Sequence, residues 1–155
     1  MDYDEQKDTE DWSVDRYIRE CFSVEDTDIR TYSSLTLAYI GDAVFELIIR
    51  TVVVGKGNTK PNRLHGCTSQ IVKAQTQAKL MDELEPLLTE EEKAVYRRGH
   101  NARPHSTAKN ASLGDYHKAT GFEALIGYLY LTDRLARAVA LTRQATERLH
   151  LLEQI

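Results

Sequence analysis

Cysteine is scarce in this 155-residue chain: Cys21 and Cys67 are the only two, and their spacing makes no CxxC metal motif. That excludes a disulfide-built scaffold, and both are expected to be reduced thiols of a cytosolic protein. Long apolar runs are missing as well. No uninterrupted stretch reaches the ~20 residues that a membrane-spanning helix needs, so no membrane association is expected. The N-terminus, "MDYDEQKDTEDW", is acidic where a secretory or transit peptide is basic. Strand signals are almost absent, and the one β-branched run, "TVVVG" at 51–55, continues a helical period. There is no GxSxG setting for a covalent nucleophile and no HExxH pair for zinc. Internal repeats and low-complexity segments are also lacking.

What the chain does have is an uneven charge. The net charge is −4, which by itself argues against a nucleic-acid partner. Residues 1–30, however, hold eleven acids against four bases, a local −7, so the remainder carries +3. Within it, residues 93–118 carry Lys93, Arg97, Arg98, Arg103, Lys109 and Lys118 against Asp115 alone, with His100, His105 and His117 among them. A local patch of one sign steers ligands in a way that the total conceals.

The hydrophobic periodicity is helical nearly throughout, which predicts an all-α domain. Ser33 or Ser34 is placed to cap a helix reaching about Val54, stopped by Gly55 and Gly57. Pro61 opens a short helix that Gly66 is expected to break, and "SQIVKAQTQAKLMDELEPLL" forms the next. Thr89 and Glu92 make a capping box for a helix closed by Gly99. Residues 100–113 lack periodicity and are expected to be a basic loop, either a contact for an anion or a linker. Helices over about 115–131 and 133–152 complete the pattern. Residues 1–30 form an acidic extension, disordered or partly helical, and 31–155 the main domain. In the extension Val14, Tyr17, Ile18 and Cys21 share a helical spacing suited to packing on that domain.

Two acids stand out. Asp42 lies in "LAYIGDAVFELIIR" (37–50) and Glu123 in "GFEALIGYLYL" (121–131), each a carboxylate in an apolar, glycine-flanked helix. Burying an unpaired carboxylate costs several kcal/mol, so each must be paired, exposed or bound to a cation. Gly41 costs about 1 kcal/mol against alanine in a helix, which points to close approach of another backbone or of a ligand. If the two helices cross at their acids, both carboxylates surround one hard cation such as Mg²⁺. Glu46 shares the face of Asp42 and also stands four residues before Arg50, so it either supports the site or forms a surface pair.

The ordered motifs resemble the ribonuclease III endonuclease domain and, more narrowly, its Mini-ribonuclease III branch, which lacks a double-stranded-RNA-binding domain. The signature E-x-L-E-F-L-G-D corresponds to "LTLAYIGD", with its aspartate at Asp42, and D-x-x-E-A-L-I-G corresponds to "TGFEALIG", with its glutamate at Glu123. "KPNRLH", "IVKAQTQA", "RRGHNAR" and "KNAS" follow the same branch, so the resemblance covers about residues 33–132. The signature's two glutamates fall at Leu35 and Ala38, and the second motif's aspartate at Thr120. Two carboxylates per subunit therefore remain, with Thr120 able to offer a hydroxyl.

The resemblance implies a homodimeric helical bundle that pairs its signature helices, and an Mg²⁺-dependent hydrolase in which Mn²⁺ can substitute. It implies cleavage of double-stranded RNA to 5′-phosphate and 3′-hydroxyl ends in the bacterial cytoplasm, in maturation of precursor 23S ribosomal RNA, where a ribosomal protein can assist. Asp42 and Glu123 would be the metal ligands. Arg97, Arg98, His100, Arg103 and Lys109 are the candidate RNA contacts, with Lys60 and Arg63 as lesser ones. A dimer seam would also account for the apolar Leu37, Ala38, Ile40 and Val44. The missing acids leave one alternative, a non-catalytic RNA-binding or ribosome-assembly module on the same fold.

Overall fold

A computed structural model describes residues 13–103 and 112–155. His105 and Lys109 lie outside the described residues, as does the first part of the acidic extension. Among the described residues there is no strand, and seven α-helices follow in order. They are α1 (Val14–Cys21), α2 (Ser34–Lys56), α3 (Pro61–Val72), α4 (Ala74–Leu84), α5 (Glu90–Asn101), α6 (Leu113–Leu131) and α7 (Leu135–Arg148). None of the described helices is long and apolar enough to cross a membrane.

The helix starts follow local chemistry. Ser33 accepts a hydrogen bond from the Thr36 amide to start α2, and Ser112 does the same for Asp115 in α6. Thr89 and Glu92 form the expected capping box on α5, each side chain accepting from the other residue's backbone amide. Pro61 occupies the first turn of α3, where its missing N–H is of no consequence.

Helix α6 is apolar on all sides because it is the central post, packed by α2, α4, α5 and α7. From Ala119 to Leu129 every residue is buried except Glu123 and Tyr128. Phe45 of α2 meets Phe122 edge to face, with centroids 4.9 Å apart. Leu80, Met81 and Leu84 of α4 and Leu141 of α7 close the core around them.

The α2–α6 crossing depends on glycine. A methyl group at Gly41 would lie 1.7 Å from the carbonyl oxygen of Glu123, and one at Gly127 would lie 2.0 Å from that of Leu37. The two backbones are in contact there, so neither position accommodates a Cβ.

Several expectations are corrected. Gly66 does not interrupt α3, which continues to Val72; the break comes at Lys73, whose extended backbone ends one helix and starts the next. The Thr76 hydroxyl donates to the Gln70 carbonyl across that kink (2.7 Å), replacing a lost backbone bond. The expected single helix from Ser69 is therefore two. Gly99 does not close α5 either: it is buried, and a Cβ there would meet the Ala124 Cβ at 2.8 Å. His100 and Asn101 thus extend α5 into the segment expected to be loop, and Leu113 opens α6 from its other side. Helix α7 is shorter than expected at both ends: Asp133, at φ 61°, sits in the left-handed region before it, and His150, at φ 53°, does so after it.

In the extension α1 forms, but the apolar residues expected to pack, Val14, Tyr17, Ile18 and Cys21, are the exposed ones. Asp15 is buried instead and pairs with Arg19 (3.0 Å). The Ser13 hydroxyl and the Arg16 guanidinium both donate to Asp133 at 2.6 Å. The helix docks through its polar side.

Candidate active site

Asp42 and Glu123 line one cavity of about 310 Å³, with Leu35, Ala38, Tyr39, Ala74, Tyr116, Ala119 and Thr120. Gly41 brings them together: its contact with the Glu123 backbone sets Asp42, the next residue, beside the next helix's acid. The two carboxylates come from α2 and α6, while α4 contributes its first residue, Ala74.

No cation from the described residues answers this pair. Burial, then the charge of Glu46, pushes the Asp42 carboxyl above its ordinary range. Burial, then the charge of Asp42, pushes Glu123 up to about 8, partly offset by a hydrogen bond from the Gln77 side chain. An acid raised by burial and by a neighbouring acid's charge is one that a bound cation would relieve. Oxygen donors of this kind suit a hard ion such as Mg²⁺, and its remaining positions would fall to water and phosphate. Among the described residues no group of three or more metal-ligating side chains gathers, so these two would be the protein's share.

Thr120 is buried on the same wall, and its hydroxyl donates to the Tyr116 carbonyl at 3.0 Å. With its hydrogen engaged, it offers the cavity only an acceptor oxygen. Glu46 does not line the cavity; it pairs with Arg50 at 3.3 Å on the helix surface.

The basic candidates divide by position. Arg97, Arg98 and His100 lie in the last turns of α5, beside Gly99, where α5 touches the Thr120 carbonyl and Gly121. The His100 ring lies 5.5 Å from that of His117, the neighbour of the cavity-lining Tyr116. Arg103 is exposed just past this helix end, and Lys109 is outside the described residues. Lys60 and Arg63 stand at the far end of α3 from the α4 junction, roughly three helical turns from Ala74. The fold does not bring them to the cavity.

Gln77 is the residue that sequence reasoning missed. It lies on the face of α4 that carries Ala74, Ala78 and Met81, is 1% exposed, and its side chain stands beside the Glu123 carboxyl. The same signal that singled out Asp42, a lone polar side chain on an apolar helix face, would have found it.

Comparison with known proteins agrees with this architecture. The Ribonuclease III domain model matches residues 35–134. The Mini-ribonuclease 3 of Enterococcus faecalis is 47% identical over 112 residues, 71% of this chain and 85% of that one. The Mini-ribonuclease 3 of Clostridium tetani is 50% identical over 107 residues, 68% and 71% of the two chains. A crystal structure of a Fusobacterium nucleatum protein superposes with a TM-score of 0.70 at 30% identity, covering 76% of this chain and 96% of that one. With the two motif acids meeting in one cavity of the matched region, the chain belongs to the ribonuclease III family, in its Mini-ribonuclease 3 branch.

Proposed function

We propose that this ribonuclease, a hydrolase by its family, is an Mg²⁺-dependent endoribonuclease that cuts double-stranded RNA, with precursor 23S ribosomal RNA as its substrate. The observation that carries the reading is the meeting of Asp42 and Glu123 in one cavity beside the basic end of α5. Asp42 and Glu123 would hold the ion, which would supply positive charge beside the scissile phosphate and lower the pKa of a water there. Hydrolysis of the kind the family performs yields 5′-phosphate and 3′-hydroxyl ends. The Thr120 oxygen accepts a hydrogen bond from solvent in the cavity and orients it. Arg97, Arg98, His100 and Arg103 neutralise phosphates of the duplex, whose A-form shape is recognised through backbone and 2′-hydroxyls.

A duplex has two strands, and a two-fold pair of subunits supplies one site to each. The seam we propose differs from the one expected from sequence. Leu37, Ala38 and Val44 are buried within the single chain, and Ile40 packs against its core. The free apolar stripe of α2 is instead Tyr39, Ala43, Leu47 and Val54, with Tyr39, Leu47 and Val54 at 82, 64 and 62% exposed. These positions fall within one helix face, adjoining Asp42. We place the homodimer contact on this stripe. In sedimentation the chain is expected as a dimer and Leu47→Asp as a monomer; a wild-type monomer at micromolar concentration rules the contact out.

The central test incubates the full chain with a precursor 23S stem and with an unrelated duplex, in Mg²⁺ or in EDTA. Discrete internal cuts that EDTA and Asp42→Asn both abolish are expected. Binding without cleavage at any Mg²⁺ concentration overturns the enzymatic reading. Equal cutting of both duplexes overturns the choice of substrate.

A further inference from the structure

Gln77 is an expensive residue for its position. Its neighbours on α4, Ala78, Leu80, Met81 and Leu84, are buried hydrocarbon, and an apolar side chain would fill the same space without burying an amide. The amide is not compensated in full. One end stands beside the Glu123 carboxyl, while the buried Oε1 has no hydrogen-bond partner among the described residues. A side chain retained only for packing would be neither polar nor half-satisfied. Its one polar contact among the described residues is an acid of the cavity, and it reaches that acid from a third helix, behind the α2–α6 crossing.

We propose that Gln77 is a positioning residue for the divalent-cation site: its buried carboxamide fixes the Glu123 carboxylate so that the cavity-facing oxygen is presented to the ion. This rests on the metal reading of Asp42 and Glu123 given above. Glu123 leaves α6 with three side-chain torsions, and among the described residues no other side chain of the cavity wall holds its carboxyl. Gln77 removes that freedom before the ion arrives, as outer-sphere groups do for metal-bound carboxylates. Because it touches neither the cavity nor the RNA face, its effect falls on ion affinity and not on substrate binding.

The test measures Mn²⁺ binding to the metal-free full-length chain by electron paramagnetic resonance, without RNA. Gln77→Met keeps the volume and removes the amide; Gln77→Leu is the second variant should the first fold poorly. Thr76→Val is the packing control, since Thr76 is buried one residue away and its hydroxyl donates to the Gln70 carbonyl, away from Glu123. Gln77→Met is expected to weaken Mn²⁺ binding about tenfold. In cleavage assays it should raise the Mg²⁺ concentration for half-maximal rate by a similar factor, with the KM for RNA unchanged. Thr76→Val should match wild type. Wild-type affinity in folded Gln77→Met overturns the positioning role, and so does equal weakening in Thr76→Val. Failure of the metal reading itself looks different: wild type then binds no Mn²⁺ that Asp42→Asn removes.

Discussion

Replacing Glu123 with glutamine should stabilise the metal-free protein at alkaline pH. Glu123 is raised from an ordinary 4.5 to about 8 by burial and by the Asp42 charge. The folded state therefore binds a proton more tightly than the unfolded state, and stability falls as pH rises from about 4.5 to about 8. At 1.36 kcal/mol per pKa unit the full shift corresponds to about 5 kcal/mol. Glu123 keeps some contact with solvent and is coupled to Asp42, so a range on the order of 2–5 kcal/mol is the figure to test. Glu123→Gln removes the charge and keeps the shape. It should match wild type near pH 5 and exceed it near pH 9 by roughly 5–15 °C in melting temperature for a chain of this size. Thermal melts in EDTA across pH 5–9 measure this directly. Adding Mg²⁺ at pH 9 should raise wild type towards the variant, because the ion neutralises what the proton did at low pH. Parallel pH curves for the two proteins in EDTA would refute the claim that Glu123 is held as an unneutralised, desolvated acid.

Two further perturbations probe the frame around the site. Gly41→Ala places a methyl 1.7 Å from the Glu123 carbonyl and should cost at least about 3 kcal/mol in urea unfolding; wild-type stability would show that the helices are not in backbone contact. Arg137→Ala strands Glu92, which is 2% exposed and receives two hydrogen bonds from that guanidinium, at 2.9 and 3.0 Å. The expected loss is about 3 kcal/mol at neutral pH. Arg137 holds the Glu92 carboxyl below its ordinary 4.5, so this stability is present above that pH and fades as acid protonates the pair. A gap between wild type and variant that stays constant down to pH 2 would contradict the assignment.

Much of this protein is legible in its sequence, for reasons that can be located. The starts of α2 and α5 are written in Ser33 and in Thr89 with Glu92, because an N-cap is satisfied within three residues. Asp42 and Glu123 are visible because each violates the apolar pattern around it and stands among glycines. What is not legible depends on distant partners. The break at Lys73 has no proline or glycine to announce it, and it rests on how α3 and α4 pack. Gly66 and Gly99 look alike as helix stops, yet one is open on the surface and the other is pressed against α6. The outward face of α1 follows from Asp133, more than a hundred residues away, which draws Ser13 and Arg16 inward. The face of α2 free for a partner emerges only once α6 has claimed Leu37, Ala38 and Val44.

The glycine joint between α2 and α6 has a bearing on how a ligand enters. Main chain touches main chain at Gly41 and Gly127, so the spacing of the two helix axes is already at its lower limit. The cavity cannot tighten around an ion by drawing its helices together, and no closing motion of that pair is left to be driven by binding. An ion held as proposed would find the spacing of these two helices already set. Affinity is then governed by the repulsion stored between two carboxylates and by whatever holds their torsions still. Tuning that affinity by mutation should therefore succeed at side chains behind the acids and fail at the joint.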